Sequence, residues 1–362
     1  MLKKLDRYIV GKFLSTFLYV SLIFTQIAIV IDFSEKVEEF IDEQVAISEI
    51  IFDYYINFIL WINGLLWPLY ALIAVIFFTS RLAYNSEIIS VLSAGVSFRR
   101  LMRPYLIGAC TIAFFHLLGN HFLIPYGNKS KLDFENAYVW KESERGKTRD
   151  IHMFIRPEEK VYVRFYKKKD STALDIRLER FQDNQLVYML KARKAEWIEP
   201  PYYWKLQNYE IREFDGMQEE IYLGKGESMD TIIHMTPQDF IYYDNQKERM
   251  LTPELKAEIA KEQSRGLNNT KTYFIEIYRR WADSITIIIL TLIGLAVASR
   301  KVRGGMGLHL AIGIAIGAIF IFLTRFSQTF AMSPTFPAWL GVWLPNIIFG
   351  SIALYLISRA QK

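Results

Sequence analysis

The sequence predicts an α-helical membrane protein with six transmembrane helices and one antiparallel, jellyroll-like β domain outside the membrane. Three observations predict it: long apolar runs, a charge-rich middle with strand-like alternation, and flanking charges that divide by sign. Composition alone is ambiguous, because 52% apolar residues in 362 fit a large soluble enzyme as well as a membrane protein. That apolar fraction does exclude a disordered chain, and a single cysteine excludes an internal disulfide.

Six apolar runs without a charged residue are the first observation. A helix that crosses a bilayer needs about 20 mostly apolar residues. The runs cover residues 13–31, 54–79, 105–126, 284–299, 309–324 and 339–358. A soluble core rarely needs six such runs. The first run lacks a small-residue cleavage site and leads into an acidic extension, so we expect a retained span and not a removable signal peptide.

The charges beside these runs predict their orientation. Basic residues dominate both chain ends and the loops 80–103 and 300–307, whereas acidic residues dominate 32–53. Because basic loops stay in the cytoplasm, we predict cytoplasmic termini and place the β domain and the loop 34–50 outside. The net charge of +5 is then explained by the orientation of the helices, and we expect no nucleic-acid partner.

The middle of the chain, residues 127–274, has as many acidic as basic side chains and alternates with the period of a strand. The clearest alternating runs are 161–166, 174–181, 186–199 and 202–214. We predict a jellyroll or sandwich of roughly eight to ten strands. A helical pattern over 252–266 leads back to the membrane. The predicted domains are therefore 1–126, 127–274 and 275–362.

Motifs that carry catalysis are missing from the sequence. It contains no GxxxxGK[ST] phosphate loop, no HExxH and no GxSxG, and its five histidines are scattered. We therefore expect no catalytic residue, no metal site and no cofactor, and any nucleotide hydrolysis would belong to another subunit. Gly313 and Gly317 form a small-xxx-small pair, which predicts close helix packing.

A short amphipathic helix, Tyr84–Ala94, is predicted in the cytoplasmic loop 80–104. Ile88, Val91 and Leu92 share one face, and Glu87 is the one acid in a strongly basic loop. Two interpretations remain open. Glu87 either stabilises the positive end of the helix dipole, or the helix docks into a cytoplasmic partner and Glu87 pairs with a partner cation.

Charges at the outer ends of the spans are the other candidates. Arg325 lies near the outer end of the fifth run, and an arginine at membrane depth costs roughly 3 kcal/mol on insertion scales. It either snorkels to the interface, faces an anionic substrate, or pairs with Asp32 or Asp283. The segment 32–40, DFSEKVEEF, contains Lys36 and is otherwise typical of a solvated helix end.

Four stretches resemble one known family, the LptF/LptG permeases, which export lipopolysaccharide from the inner membrane of Gram-negative bacteria. They are LDRYIVGKFLSTF at 5–17, RLAYNSEIISVLSAGVSFRRLMRP at 81–104, the segment 281–313 and GVWLPNIIFG at 341–350. The resemblance covers all six spans and the order of parts. The opening LDRYI favours the LptG-like member.

This resemblance implies a half-permease of an ATP-binding-cassette transporter in the bacterial inner membrane, with a periplasmic β domain. Its implied partners are lipopolysaccharide, a paralogous LptF/LptG permease, an LptB-type ATPase dimer, and LptC- and LptA-type periplasmic jellyroll proteins. Glu87 matches the acid of the family's coupling helix. The implied ATPase-coupling residues are Arg81, Asn85, Ser86, Glu87, Ile88, Val91 and Gly95.

The first span departs from the family pattern. Members can carry basic residues at its outer end, facing lipid phosphates, but here acids surround Lys36. The candidate cavity residues are therefore Asp32, Lys36 and Arg325, with Arg325 the more interesting cation. The alternative function is a membrane-anchored envelope scaffold whose β domain binds a partner without transport; such a scaffold needs no cytoplasmic docking helix.

Overall fold

The computed structural model describes most of the chain. The described residues are 4–139, 149–167, 169–216, 218–240, 246–266, 270–300, 305–333 and 335–360. They form two compact units. The first comprises Met1–Val139, Lys247–Thr252 and Lys271–Lys362, and the second comprises Trp140–Gln246 and Pro253–Thr270. The first is helical and the second is built on an antiparallel sheet, which confirms the predicted fold class.

Six helices in the described chain are long and apolar enough to cross a membrane, and we number them spans 1 to 6. Their bounds are Lys4–Asp42, Ile47–Tyr84, Phe98–Val139, Lys271–Ala298, Gly305–Ala331 and Ala338–Arg359. Spans 1 to 3 extend well past their apolar runs. Span 3 includes residues 127–139, which the sequence assigned to the β domain, because this polar stretch keeps a buried helical face with Leu132 and Phe134.

Burial differs strongly between the spans. In the apolar 18-residue stretch of span 4, 61% of the residues are buried, against 22% in the corresponding stretches of spans 1 and 5. Span 4 packs most extensively against spans 2, 3 and 6, and it also contacts span 5. Span 1 packs against spans 2 and 3, and span 5 packs against spans 2, 4 and 6. Span 4 is thus the centre of the bundle, while spans 1 and 5 each leave a long apolar flank uncovered.

Two glycines of span 5 lie against span 2. A Cβ at Gly313 would lie 2.4 Å from Cδ1 of Ile76, and one at Gly317 would lie 2.5 Å from Cδ1 of Leu69. Real Cβ atoms do not approach other atoms so closely, so a larger residue there requires the side chain of Ile76 or Leu69 to shift. The small-xxx-small spacing therefore lies at the contact between these two helices.

The β domain contains a meander of six antiparallel strands in sequence order. The strands are β1 Arg149–Arg156, β2 Glu159–Lys167, β3 Thr172–Gln182, β4 Gln185–Glu199, β5 Tyr203–Asp215 and β6 Gln218–Ile232. The described residues hold fewer strands than the eight to ten predicted. The four alternating runs correspond one to one to β2, β3, β4 and β5, and the described residues add only β1 and β6. With 15 residues each, β4 and β6 take up chain that eight to ten shorter strands would need.

The core of the β domain combines aliphatic side chains with four buried aromatic ones. Trp204 is fully buried and donates a hydrogen bond from Nε1 to the carbonyl of Met235, at 3.0 Å. The predicted helix is present at Thr252–Ser264 and buries Leu255 and Ile259.

An ion-pair cluster ties this helix region to the turn that follows the sheet. Lys261 and Arg265 donate to Asp239 at 2.8 and 3.0 Å. Burial alone would raise the pKa of Asp239, but these two hydrogen bonds and positive charges outweigh it and lower the pKa below its usual value.

Candidate functional site

The loop between spans 2 and 3 contains a short helix, Glu87–Ser93, which we call the loop helix. It is shorter than the predicted Tyr84–Ala94. Span 2 continues through Tyr84, and Ser86 then adopts a left-handed conformation with φ of 63°, which separates the two helices. On its other side the loop helix ends before Gly95, whose φ is 84°. Glycine tolerates this conformation without strain.

The two faces of the loop helix have different surroundings. Ile88 is 2% exposed, and Val91 and Leu92 pack against the same hydrophobic core as the membrane spans. The opposite face is exposed and carries Glu87 and Ile89. The apolar face therefore anchors the loop helix to its own membrane domain, and the acidic face is left for solvent or a partner.

The predicted coupling residues divide between these faces. Ile88 and Val91 face inward, and Ser86 is half-buried. Arg81, Asn85, Glu87 and Gly95 are exposed. The Glu87 carboxylate accepts a hydrogen bond from Nδ2 of Asn85 at 3.2 Å, so the neighbouring amide orients it at the surface.

At the end of spans 1 to 3 that is remote from the loop helix lies a buried charge network of five side chains. Its members are Asp32, Lys36, Tyr54, Lys131 and Glu135. Lys36 Nζ lies 2.7 Å from Oδ1 of Asp32 and 2.7 Å from Oε1 of Glu135. Lys131 Nζ lies 3.0 Å from the second oxygen of Glu135. The Tyr54 hydroxyl donates to Asp32 at 2.9 Å and also contacts Lys36 and Glu135.

Burial makes this network costly to break. Glu135 is 2% exposed and Tyr54 is fully buried. Two carboxylates and two ammonium groups balance in charge, and each has an opposite charge at hydrogen-bond distance. A buried ion pair of this kind can add little net stability, but removal of one partner leaves an uncompensated buried charge.

Arg325 lies apart from this network. Its side chain is exposed on span 5, and no acidic group lies within 4.0 Å of it in the part of the chain that the structure describes. Its two expected partners already have other cations: Asp32 has Lys36, and Asp283 lies 3.4 Å from Arg279. The structure thus brings Asp32 and Lys36 together but leaves Arg325 exposed on a different helix.

Sequence reasoning missed a second buried cluster, at the start of span 4. Arg280 is 2% exposed and lies 3.0 Å from Oε1 of Glu276, which also accepts from Arg279. Arg280 donates further to Thr252 Oγ1 and to the carbonyl of Met250, both at 2.8 Å. The cluster therefore fastens the chain segment 247–252 to span 4. Its signal is the spacing i, i+3 and i, i+4 in EIYRR, residues 276–280.

A third pair joins the opposite end of the bundle. Nη1 and Nη2 of Arg100, in span 3, donate to the two carboxylate oxygens of Asp6, in span 1, at 2.8 and 2.6 Å. Such a two-pronged arginine–carboxylate pair fixes geometry as well as charge. Span 1 is therefore held to span 3 near both of its ends.

Comparison with known protein families identifies the chain. The family described as "Lipopolysaccharide export system permease LptF/LptG" matches residues 7–359. The chain belongs to the LptF/LptG family. No curated protein matches it significantly. The match covers both the membrane helices and the β domain, and it confirms the resemblance found in the sequence.

Family membership fixes the general role of the molecule. LptF/LptG proteins are permease subunits of the lipopolysaccharide export system and are not themselves ATPases. With its six membrane-crossing helices, the chain is a multi-pass inner-membrane protein. The described residues contain no group of three or more His, Cys, Asp or Glu side chains placed to hold a metal ion.

Proposed function

We propose that this chain is one of two permease halves that extract lipopolysaccharide from the inner membrane and pass it to a periplasmic bridge toward the outer membrane. The energy comes from ATP hydrolysed by an LptB-type dimer in the cytoplasm. One observation carries the proposal: Glu87 is exposed on a short helix whose opposite face is anchored in the membrane core. A force applied at Glu87 therefore reaches the spans directly.

The coupling step uses the two faces of the loop helix. Glu87 pairs with an arginine of the ATPase, at low cost because it is already exposed and oriented by Asn85. Ile88, Val91 and Leu92 transmit the movement because they pack against the core to which all six spans contribute. Closure of the ATPase dimer then moves the loop helix as a lever.

The lipid path lies along spans 1 and 5. These two spans have the least buried apolar windows, so a paralogous LptF/LptG permease can cover them and enclose a cavity between the two chains. When spans 1 and 5 separate and close again at the side of this cavity, the lipid moves out of the outer leaflet. Within this cavity, Arg325 is the cation that contacts anionic groups of the lipid, because Lys36 already pairs with two internal carboxylates.

The β domain continues the path in the periplasm, and both termini lie in the cytoplasm. Its β6 strand is at an edge of the sheet, and Ile221, Tyr222 and Leu223 on it are exposed. An apolar sheet edge suits the addition of another jellyroll, of the LptC or LptA type. The opening LDRYI supports the LptG-like member of the pair.

Purification from the membrane in detergent tests the proposal. We expect stoichiometric co-purification of an ATPase with wild-type protein and its loss with Glu87→Arg, while the variant still inserts. Glu38→Arg is the matched control. Glu38 is also an exposed acid and the change in charge is the same, but it lies near the C-terminal end of span 1, away from the loop helix. Normal ATPase recovery with Glu87→Arg contradicts the lever, and no ATPase with the wild type favours a scaffold without transport.

A further inference from the structure

A groove opens between spans 1 and 3, and span 2 forms its floor. It has a volume of about 570 Å³, within the range of small-ligand sites, and its walls include Phe17 of span 1, Leu60 of span 2 and Ile112 of span 3. Leu18 and Phe115 on its rim are 63% and 59% exposed. The groove is therefore accessible from the surroundings of the helices.

Two ion pairs already described join the helices that form the walls of this groove. Spans 1 and 3 are joined by Asp6 and Arg100 on the cytoplasmic side and by Lys36 and Glu135 on the outer side. The lining residues on span 3 run from Thr111 to Ile124, which corresponds to about 20 Å along a helix, most of the hydrocarbon thickness of a bilayer.

The chemistry of the lining selects an apolar occupant. None of the lining side chains is an Asp, Glu, Lys or Arg. Asn63 donates to Thr25 and to the carbonyl of Ile59, and its oxygen accepts from Trp67 Nε1. The two ring nitrogens of His116 lie 2.9 Å from Ser284 Oγ and 2.8 Å from the carbonyl of Gly64.

The remaining polar group of the lining, the Thr111 hydroxyl, donates to the carbonyl of Ile107 in its own helix. The polar groups of the groove thus find partners within the protein. A sugar or phosphate there would lose its hydration without compensation, whereas hydrocarbon would lose nothing.

We propose that this groove binds one acyl chain of a membrane phospholipid, which stays with the protein as a structural lipid. The groove is continuous with the exposed apolar surface of three membrane-crossing helices, so phospholipid is the molecule that surrounds it. Lipopolysaccharide fits less well, because it presents several acyl chains on one phosphorylated headgroup and the groove is a single slot without a cation. The inference does not depend on export.

Photochemical cross-linking tests it. The intact protein, in vesicles of phosphatidylethanolamine that carries a diazirine on one acyl chain, is irradiated and its labelled residues are mapped by mass spectrometry. We expect labels concentrated on half-buried groove residues such as Leu14 and Leu60. Even labelling along the exposed faces of all six spans, or groove labels displaced by lipopolysaccharide and not by unlabelled phosphatidylethanolamine, would overturn the proposal.

A groove-filling variant gives the second measurement. Thr111→Trp places a large side chain in the groove and should abolish the groove labels. Leu354→Trp is its control, because Leu354 is 70% exposed on span 6 and does not line the groove. Groove labels that persist in a folded Thr111→Trp protein, or that are lost equally in both variants, contradict the proposal. If Thr111→Trp fails to fold, the wild-type labelling pattern decides alone.

Discussion

Lys36 and Glu135 are 99 positions apart in the sequence, yet Nζ of Lys36 lies 2.7 Å from Oε1 of Glu135. The pair joins the C-terminal part of span 1 to the polar extension of span 3, in a site where Glu135 is 2% exposed. Lys36 therefore has a structural partner at the position where the family resemblance placed a contact with lipid phosphate. Arg325, in contrast, is exposed on span 5, with no acidic group within 4.0 Å among the described residues.

Breaking that pair should destabilise the membrane domain. We expect Lys36→Met to lower the free energy of unfolding by about 3 to 5 kcal/mol, because Asp32 and Glu135 then lose a buried counter-charge. Adding Glu135→Gln should recover part of this loss. Chemical unfolding of the purified protein measures both, and strict additivity of the two substitutions would contradict the pairing.

The contact between spans 2 and 5 predicts the effect of enlarging Gly313 on the stability of the protein. Gly313→Ala should destabilise the protein by about 1 to 3 kcal/mol, since the new Cβ would overlap Ile76. In an Ile76→Ala background, Gly313→Ala should cost less, because the side chain that the new Cβ would overlap is gone. Gly307→Ala is the control, because nothing lies within 4 Å of a Cβ there. Equal thermal stability of the Gly313→Ala and Gly307→Ala proteins would argue against this packing.

The Asp239 cluster predicts a pH dependence in the β domain. The folded pKa of Asp239 is below its usual value, so its ion pairs stabilise the domain at neutral pH and are lost as pH falls through that lowered pKa. We expect Asp239→Asn to cost about 1 to 3 kcal/mol at neutral pH and less in strong acid. Hydrogen exchange of the helix Thr252–Ser264, compared between variant and wild type at each pH, measures this. A difference that grows on acidification would refute it.

Arg325 should affect transport more than stability, because its side chain is exposed and has no ion pair in the described residues. We expect Arg325→Ala to slow lipopolysaccharide release several-fold with little change in thermal stability, and Arg325→Lys to retain most of the activity. Release assays in proteoliposomes, with protein amounts matched, measure the effect. Undiminished release by Arg325→Ala would remove Arg325 from the lipid path.

Local sequence patterns predicted the six spans and the β domain, because each depends on neighbours along the chain. The charge network was not predicted, since Asp32, Tyr54 and Glu135 meet only after three helices pack together. A local signal did exist: Asp32–Lys36 and Lys131–Glu135 both have i, i+4 spacing. It was ambiguous because solvated helices use the same spacing.

The loop helix illustrates a different limit. Its apolar stripe was visible in the sequence, but a stripe does not say whether it faces a partner or the same chain. Ile88 is 2% exposed because it packs inward, and this leaves Glu87 as the outward group. Burial within the fold, which no periodicity reveals, separates the anchoring residues from those available to a partner.

The most direct test of export and of coupling through the loop helix is ATP-driven release of lipopolysaccharide from proteoliposomes. These contain this chain, a paralogous permease and an LptB-type ATPase, reconstituted together. We predict release that requires ATP and this chain, that is abolished by Glu87→Arg, and that is retained by Glu38→Arg. Release at the wild-type rate with Glu87→Arg would contradict coupling through the loop helix. Absence of any ATP-dependent release from the wild-type complex would contradict the proposed export function itself.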